Sequence, residues 1–361
     1  MINYFFYFLL ACALAVAFTP LVKRLATQKR ILDFPTSPRK IHTQPIPLLG
    51  GVAVYLAFLV TALLYLWLGK PDFHVVPVKF FLAIFAGSLI LIIGGALDDK
   101  YNLPPKFSWL FPALAALVVV GSGIGVGITY LTNPFGNPIN IGFKLFALPF
   151  SFYVMWLWIM GMVYTTKFLD GLDGLAAGIA FIGGATLFAL SLTAKINQPI
   201  TATLAAIFCG SLLGYLFFAF FPAKIFLGEG GSTFVGFTLG VLAIILGAKI
   251  ATALLVMGIP ILDVAWVIVR RLWYKNSPFK ADRQHLHFRL LDIGFSQRQA
   301  VLILYGISAV FGFTAVFLQS MGKLVALIIL FCVMLTLALS VVILYKRKHP
   351  HIPDKSNNIN P

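Results

Sequence analysis

The chain has 361 residues, 60% of them hydrophobic and 11% charged, with a formal net charge of +16. Soluble domains carry about 25% charged residues, so this composition excludes an ordinary soluble domain. Cys12, Cys209 and Cys332 all sit in apolar stretches, which leaves no disulfide or zinc framework.

A bilayer-crossing helix needs about 20 mostly apolar residues. Hydropathy and breakers predict eleven such spans, at 3–22, 48–68, 79–97, 107–131, 146–163, 174–194, 200–221, 232–247, 250–270, 300–319 and 324–345. The segment 3–22 reads as a retained helix: no basic stretch precedes it, and "KRLATQKR" follows it directly. The fold class is therefore all-α and polytopic. One transmembrane domain covers 1–345, and 346–361 is a polar tail.

Eleven spans place the termini on opposite faces. One set of loops is 23–47, 98–106, 164–173, 222–231 and 271–299, with Arg270 and the tail. It holds 21 of the 27 Lys and Arg residues. The positive-inside rule puts that set in the cytoplasm, the amino terminus outside and the carboxyl tail inside. The expectation is a multi-pass protein of the cytoplasmic membrane. The cationic face suits membrane lipid headgroups and anionic substrates. No soluble basic domain is present to hold nucleic acid.

Ten of the eleven acidic residues fall on that same face, Asp72 being the exception. Acidic residues contribute little to orientation, so the bias points to a shared site. In "RKIHTQPIPLLGG", Arg39, Lys40 and His42 precede a Pro-rich turn, either as a membrane-face anchor or as substrate contacts. In "GGALDDKYNLPPK", Asp98 and Asp99 end a span and Lys106 opens the next. Adjacent carboxylates raise each other's pKa unless a cation intervenes. A solvated helix end is the plain alternative. In "TTKFLDGLDGLAAG", Asp170 and Asp173 are three apart and share a helix face. Capping a helix explains one Asp, not two set among glycines that let a ligand approach the backbone.

Glu229, the single glutamate, stands in "FLGEGGS", where glycines before a helix expose N–H groups to an anion. A turn capped by Ser232 is the alternative. Asp263 lies inside a span, where an ionised carboxylate costs roughly 2.5–3.5 kcal/mol at the centre. It must face protein, a cavity or a cation, and Pro260 predicts a kink beside it. In "DRQHLHFRL", His285 and His287 are two apart, which suits an extended or turning loop. Arg283 and Arg289 flank them, as phosphate-gripping residues do. A zinc site finds no thiolate and no third histidine there.

A basic rim alone binds phosphates, but carboxylates beside it repel them unless a metal bridges the two. Mg²⁺ couples one or two carboxylates to substrate phosphates. The cluster therefore predicts Mg²⁺-assisted phosphoryl chemistry, with Mn²⁺ as the alternative ion. A transporter would place its charges near the midplane, usually within repeats. A CDP-alcohol phosphotransferase would need an arginine shortly after the first Asp-Gly. Neither pattern is present.

At this point "DDKYNLPPK", "FLDGLDGLAAG", "FLGEGGS" and "DRQHLHFRL" resemble the successive cytoplasmic motifs of the polyprenyl-phosphate N-acetylhexosamine-1-phosphate transferases. The likeness runs from "RKIHTQPIPLLGG" to "LLDIGFSQRQ". It implies transfer of a sugar 1-phosphate, most simply N-acetylglucosamine 1-phosphate, from a UDP-N-acetylhexosamine to undecaprenyl phosphate. UMP is released, and cell-envelope polysaccharide synthesis begins. It also implies roles. Asp98, Asp99 and Asp170 would be catalytic, and Asp173 would read the uracil. Glu229 would hold the metal, and Asp263 would support the site. Arg39, Lys40, His42, Lys106, Arg283, His285, His287 and Arg289 would bind substrate. A homodimer is a further expectation. The "HLHF" stretch resembles the N-acetylglucosamine branch more than the phospho-N-acetylmuramoyl-pentapeptide transferases, which remain the alternative, as does an impaired member acting as a scaffold. Two departures stand out. Glu229 replaces the family's usual aspartate, and Lys167 replaces an asparagine near the metal. The expectation is that Lys167 pairs with Glu229 and weakens or displaces the metal.

Overall fold

The computed structural model describes residues 2–36, 40, 42–131, 133, 135–247, 249–273 and 285–348. Arg39 and Arg283 lie outside them. The described chain begins with α1 (Ile2–Gln28), a two-residue pair β1 (Leu32–Asp33) and β2 (Ile46–Pro47), then α2 (Gly50–Leu68) and α3 (Val78–Tyr101). Next come α4 (Pro105–Ser108) and α5 (Leu110–Gly121). Two further short pairs follow, β3 (Tyr130–Leu131) with β4 (Ile139–Asn140) and β5 (Lys144–Leu145) with β6 (Leu148–Pro149). They lead into α6 (Phe150–Leu169), α7 (Leu175–Ser191), α8 (Pro199–Ala219) and α9 (Gly228–Ile245). The rest comprises α10 (Ile250–Val256), α11 (Gly258–Trp273), α12 (Leu286–Asp292), α13 (Gln297–Phe317) and α14 (Ser320–Lys348).

Among the described residues, eight helices are long and apolar enough to cross a membrane: α1, α2, α3, α6, α8, α9, α13 and α14. Helices suit that role because each satisfies its own backbone hydrogen bonds in lipid. Two predicted spans are shorter as helices, over Pro105–Gly121 and Leu175–Ser191. The first stops where Gly121, Gly123, Gly125 and Gly127 begin to alternate, and Gly123 and Gly125 take positive φ. The span predicted at 250–270 is a broken pair, α10 and α11, bent by 81°. The break falls at Met257, ahead of Pro260. Pro260 lacks the N–H that would continue α10 and sits instead in the first turn of α11.

The centre of the bundle is α9, the most buried of the long helices. It packs against α2, α3, α6 and α7. Glycines permit that proximity. A Cβ added at Gly51 would lie 2.0 Å from Gly231 Cα, and one at Gly95 would lie 2.0 Å from the Gly230 nitrogen. Small residues at such crossings allow backbones to touch, which drives helix association in lipid. The result joins the amino-terminal ends of α2 and α9 to the carboxyl-terminal ends of α3 and α6, and this junction holds the site.

Candidate active site

A cavity of about 1400 Å³ opens at this end of the bundle. Asp98, Asp99, Asp170, Asp173 and Glu229 all line it, and so do Lys40, His42, Lys167 and His285. Residues 130 positions apart in sequence thus share one wall.

Most of the carboxylates already hold protein groups. The last turn of α3 presents Asp98 and Asp99. Asp98 accepts the Leu103 N–H (2.8 Å) and the Ser108 hydroxyl (2.8 Å), fixing the turn into α4. Both oxygens of Asp99 accept the Glu229 N–H, at 3.0 and 3.2 Å. A carboxylate there satisfies an orphan donor in the first turn of α9 and complements its dipole. Gly228 makes room: its φ is +74°, and a Cβ would lie 2.4 Å from Asp99 Oδ2. Asp173 accepts the Ala223 N–H at 2.9 Å, tying the Asp-Gly turn to the segment before α9.

Asp170 differs. It closes α6 as its C-terminal cap residue, and among the described residues nothing donates to its carboxylate. The residue opens onto the cavity, yet the surrounding protein desolvates its carboxyl. The nearby charges of Glu229 and Asp173 add to that effect, and the group is pushed up to about 7.

Glu229 lies in the first turn of α9, because that helix begins at Gly228 rather than at 232. Its carboxylate is ion-paired with the Lys167 ammonium, both side chains being about one-fifth exposed (21% and 23%). Lys167 also donates to Ser108 Oγ at 3.3 Å and lies over the Tyr164 ring. A chain of contacts therefore runs from Asp98 through Ser108 and Lys167 to Glu229.

Asp33, also in the lining, gathers Lys40 and His42. Lys40 Nζ donates to Asp33 Oδ1 at 2.5 Å and to the Phe34 carbonyl at 2.8 Å. His42 Nε2 lies 3.2 Å from the Asp33 carbonyl oxygen and 3.5 Å from Asp33 Oδ2. Asp33 and Ser108 were absent from the sequence-based site. Asp33 gave a signal in its charge, seven and nine residues before Lys40 and His42. Ser108 gave none.

The histidines depart from the expected loop. His285 is extended and caps α12, whereas His287 lies in that helix's first turn. Asp263 holds the start of α12: its Oδ2 is 2.8 Å from His285 Nδ1, and its Oδ1 accepts the Leu286 N–H at 2.8 Å. The His285 and His287 rings stack at 5.6 Å. His287 is buried and is not among the residues that line the cavity. Among the described residues its Nε2 has no hydrogen-bond partner, and it faces Gly171, where an added Cβ would lie only 2.3 Å away. Burial pushes its imidazole down to about 4; Asp263 opposes this shift and His285 reinforces it. Lys106 is exposed over the Phe107 ring and does not line the cavity; Arg289, in the last turn of α12, does not either.

The donor set does not fit a divalent ion at Glu229. The ammonium of Lys167 occupies that carboxylate. Asp98, Asp99 and Asp173 are engaged by protein donors. Among the described residues, no three His, Cys, Asp or Glu side chains converge tightly enough to hold a metal.

The profile of glycosyl transferase family 4 matches residues 81–247. A Bacillus subtilis (strain 168) protein named "Probable undecaprenyl-phosphate N-acetylglucosaminyl 1-phosphate transferase" is 31% identical over 333 residues. The match spans 90% of this chain and 87% of that protein. The chain belongs to glycosyl transferase family 4. Two other relatives match over somewhat less of the chain. A decaprenyl-phosphate N-acetylglucosaminephosphotransferase of Mycolicibacterium smegmatis is 31% identical over 79% of this chain and 74% of its own. An undecaprenyl-phosphate alpha-N-acetylglucosaminyl 1-phosphate transferase of Escherichia coli (strain K12) is 29% identical over 78% and 75%. Within the family 4 match fall Asp98, Asp99, Lys167, Asp170, Asp173 and Glu229; Lys40, His42, Asp263 and His285 fall outside it.

Proposed function

We propose that this family 4 protein transfers N-acetylglucosamine 1-phosphate from a UDP-sugar to a polyprenyl phosphate at the cytoplasmic face of the membrane. The relatives' names supply the donor group and the lipid acceptor. The observation that carries the reading is the cavity itself. It opens at one end of a bundle of spanning helices, and both carboxylates and basic side chains line it. A polyprenyl phosphate can then keep its chain in lipid while its phosphate reaches that end.

In the reaction, an oxygen of the lipid phosphate attacks the β-phosphorus of the UDP-sugar. The bond from that phosphorus to the bridging oxygen breaks, and UMP leaves with the bond's electrons. The lipid becomes a diphosphate bearing the sugar. A lipid phosphate that arrives protonated must lose its proton. Asp170 is the carboxylate suited to take it: nothing among the described residues engages it, and its carboxyl, pushed up to about 7, matches a base working at neutral pH. Asp98 and Asp99, by contrast, fix α4 and α9. Lys40 and His42, held by Asp33, face the incoming phosphates.

The test is acceptor-dependent UMP release by the purified protein. UDP-N-acetylglucosamine is expected to support it and UDP-N-acetylmuramoyl-pentapeptide is not. Asp170→Asn is expected to lower kcat on the order of 10²–10⁴-fold. Release with the pentapeptide donor alone would move the protein to the other branch. Full turnover in Asp170→Asn would remove that residue as the base.

A further inference from the structure

We propose that Lys167 supplies the cation of the transfer site, in the place where a divalent metal would otherwise bridge carboxylate and phosphate. This rests on the transferase reading above. Besides Asp33, five carboxylates line the cavity. A diphosphate cannot approach such a wall unless a positive charge stands between. Lys23, Lys40, His42, Lys224 and Arg271 also line the cavity, and Lys40 and His42 are committed to Asp33. Lys167 is the cation set among the acids themselves. It is ion-paired to Glu229 and bonded to Ser108, whose hydroxyl in turn donates to Asp98.

The geometry suits a resident charge rather than an incidental one. Lys167 lies in the last turn of α6, and Glu229 lies in the first turn of α9. These two helices pack along their lengths. A Cβ added at Gly236 would lie 2.1 Å from Thr166 Oγ1 and 2.4 Å from the Met162 carbonyl oxygen, so the helices touch through backbone. Neither end of the ion pair can therefore drift far. Both side chains line the cavity, so the ammonium can offer a further hydrogen to a substrate oxygen without leaving Glu229. An ammonium has three donors; Glu229 and Ser108 use two. A dication on Glu229 would have to share its oxygens with this ammonium, and like charges at that separation repel.

The departures in sequence follow from this arrangement. Glutamate is one methylene longer than aspartate, which lets α9 reach an ammonium on α6. A lysine replacing an amide brings the charge that a metal would bring. Each change makes sense only with the other.

The experiment compares wild type with Lys167→Asn and Lys167→Arg, each purified and shown to be folded by its gel-filtration profile. Mn²⁺ binding without substrate is read by electron paramagnetic resonance. UMP release is read with chelator and with added Mg²⁺. Wild type is expected to take up no Mn²⁺ at the site and to keep its rate in chelator. Lys167→Asn is expected to gain a Mn²⁺ site and to lose at least about tenfold in kcat/KM in chelator, with Mg²⁺ restoring it. Lys167→Arg keeps the charge and is expected to stay insensitive to chelator. Stoichiometric Mn²⁺ binding by wild type, or loss of its UMP release in chelator, would overturn the proposal. So would a Lys167→Asn enzyme that is as fast as wild type in chelator. Should no variant release UMP under any condition, the transferase reading fails. The Mn²⁺ comparison still decides whether Lys167 excludes a metal.

Discussion

Asp170 and His287 sit on either side of one glycine and titrate in opposite directions. Asp170 is raised to about 7 by desolvation and by the Glu229 and Asp173 charges. An acid raised in the fold favours the native state while protonated. That contribution is complete below the unfolded pKa, near 4, and is lost as pH rises through about 7. Asp170→Asn stays neutral, so its melting temperature is expected to match wild type near pH 4 and to exceed it increasingly toward pH 8. Parallel melting curves across that range would contradict the assignment. His287 is a base lowered to about 4 by burial, so the stability it holds is lost as pH falls from about 6.5 toward 4. The two effects oppose each other below pH 6.5, which is why the comparison is between variants and not between buffers. Gly171 between them has no room to grow. Gly171→Ala must displace the His287 ring or the Asp-Gly turn and is expected to destabilise the fold by about 1–3 kcal/mol. An unchanged denaturation midpoint would show that the ring gives way freely.

At the scale of elements, the site depends on three backbones meeting. Asp98 and Asp99 ride on α3, and α3 reaches α9 through Gly95 and Gly230. Gly95→Val is expected to push the end of α3 outward and to abolish UMP release while the protein still inserts and purifies. Retained turnover would mean that the acidic pair is not positioned by that contact. Asp263 plays the equivalent part for α12. Asp263→Ala leaves His285 and the Leu286 N–H without their acceptor and is expected to cost about 1–3 kcal/mol, read as a lower thermal midpoint. Most of these elements were legible in the sequence, because a run of about 20 apolar residues has few alternatives. Two were misjudged in shape. Residues 122–131 remain apolar, and hydropathy does not register that alternating glycines end the helix. Pro260 announced a break, but steric conflict falls on the turn before a proline, so the bend came at Met257. The helix α12 was hidden, being only seven residues long in a charged loop.

At the scale of the molecule, the one-sided distribution of acids anticipated a shared cavity, and six of them line it. What the sequence could not display was which partner each acid has. Ser108, at the end of α4, joins Asp98 to Lys167 on α6, 59 residues further along the chain. The pairing of Lys167 with Glu229 was legible because both residues depart from the family pattern with opposite charge. On the positive-inside rule, we propose that the cavity faces the cytoplasm. A membrane-impermeant maleimide is expected to label Lys100→Cys, an exposed position at the end of α3, only after the membrane is opened. Labelling of intact cells would reverse the orientation. The central claim is that a sugar and its phosphate move together onto a lipid phosphate. It is tested most directly by mass spectrometry of both products after incubation with polyprenyl phosphate and UDP-N-acetylglucosamine. The account predicts UMP and a lipid diphosphate bearing N-acetylglucosamine in equal amounts. UDP with a lipid monophosphate sugar, or neither product, would contradict it.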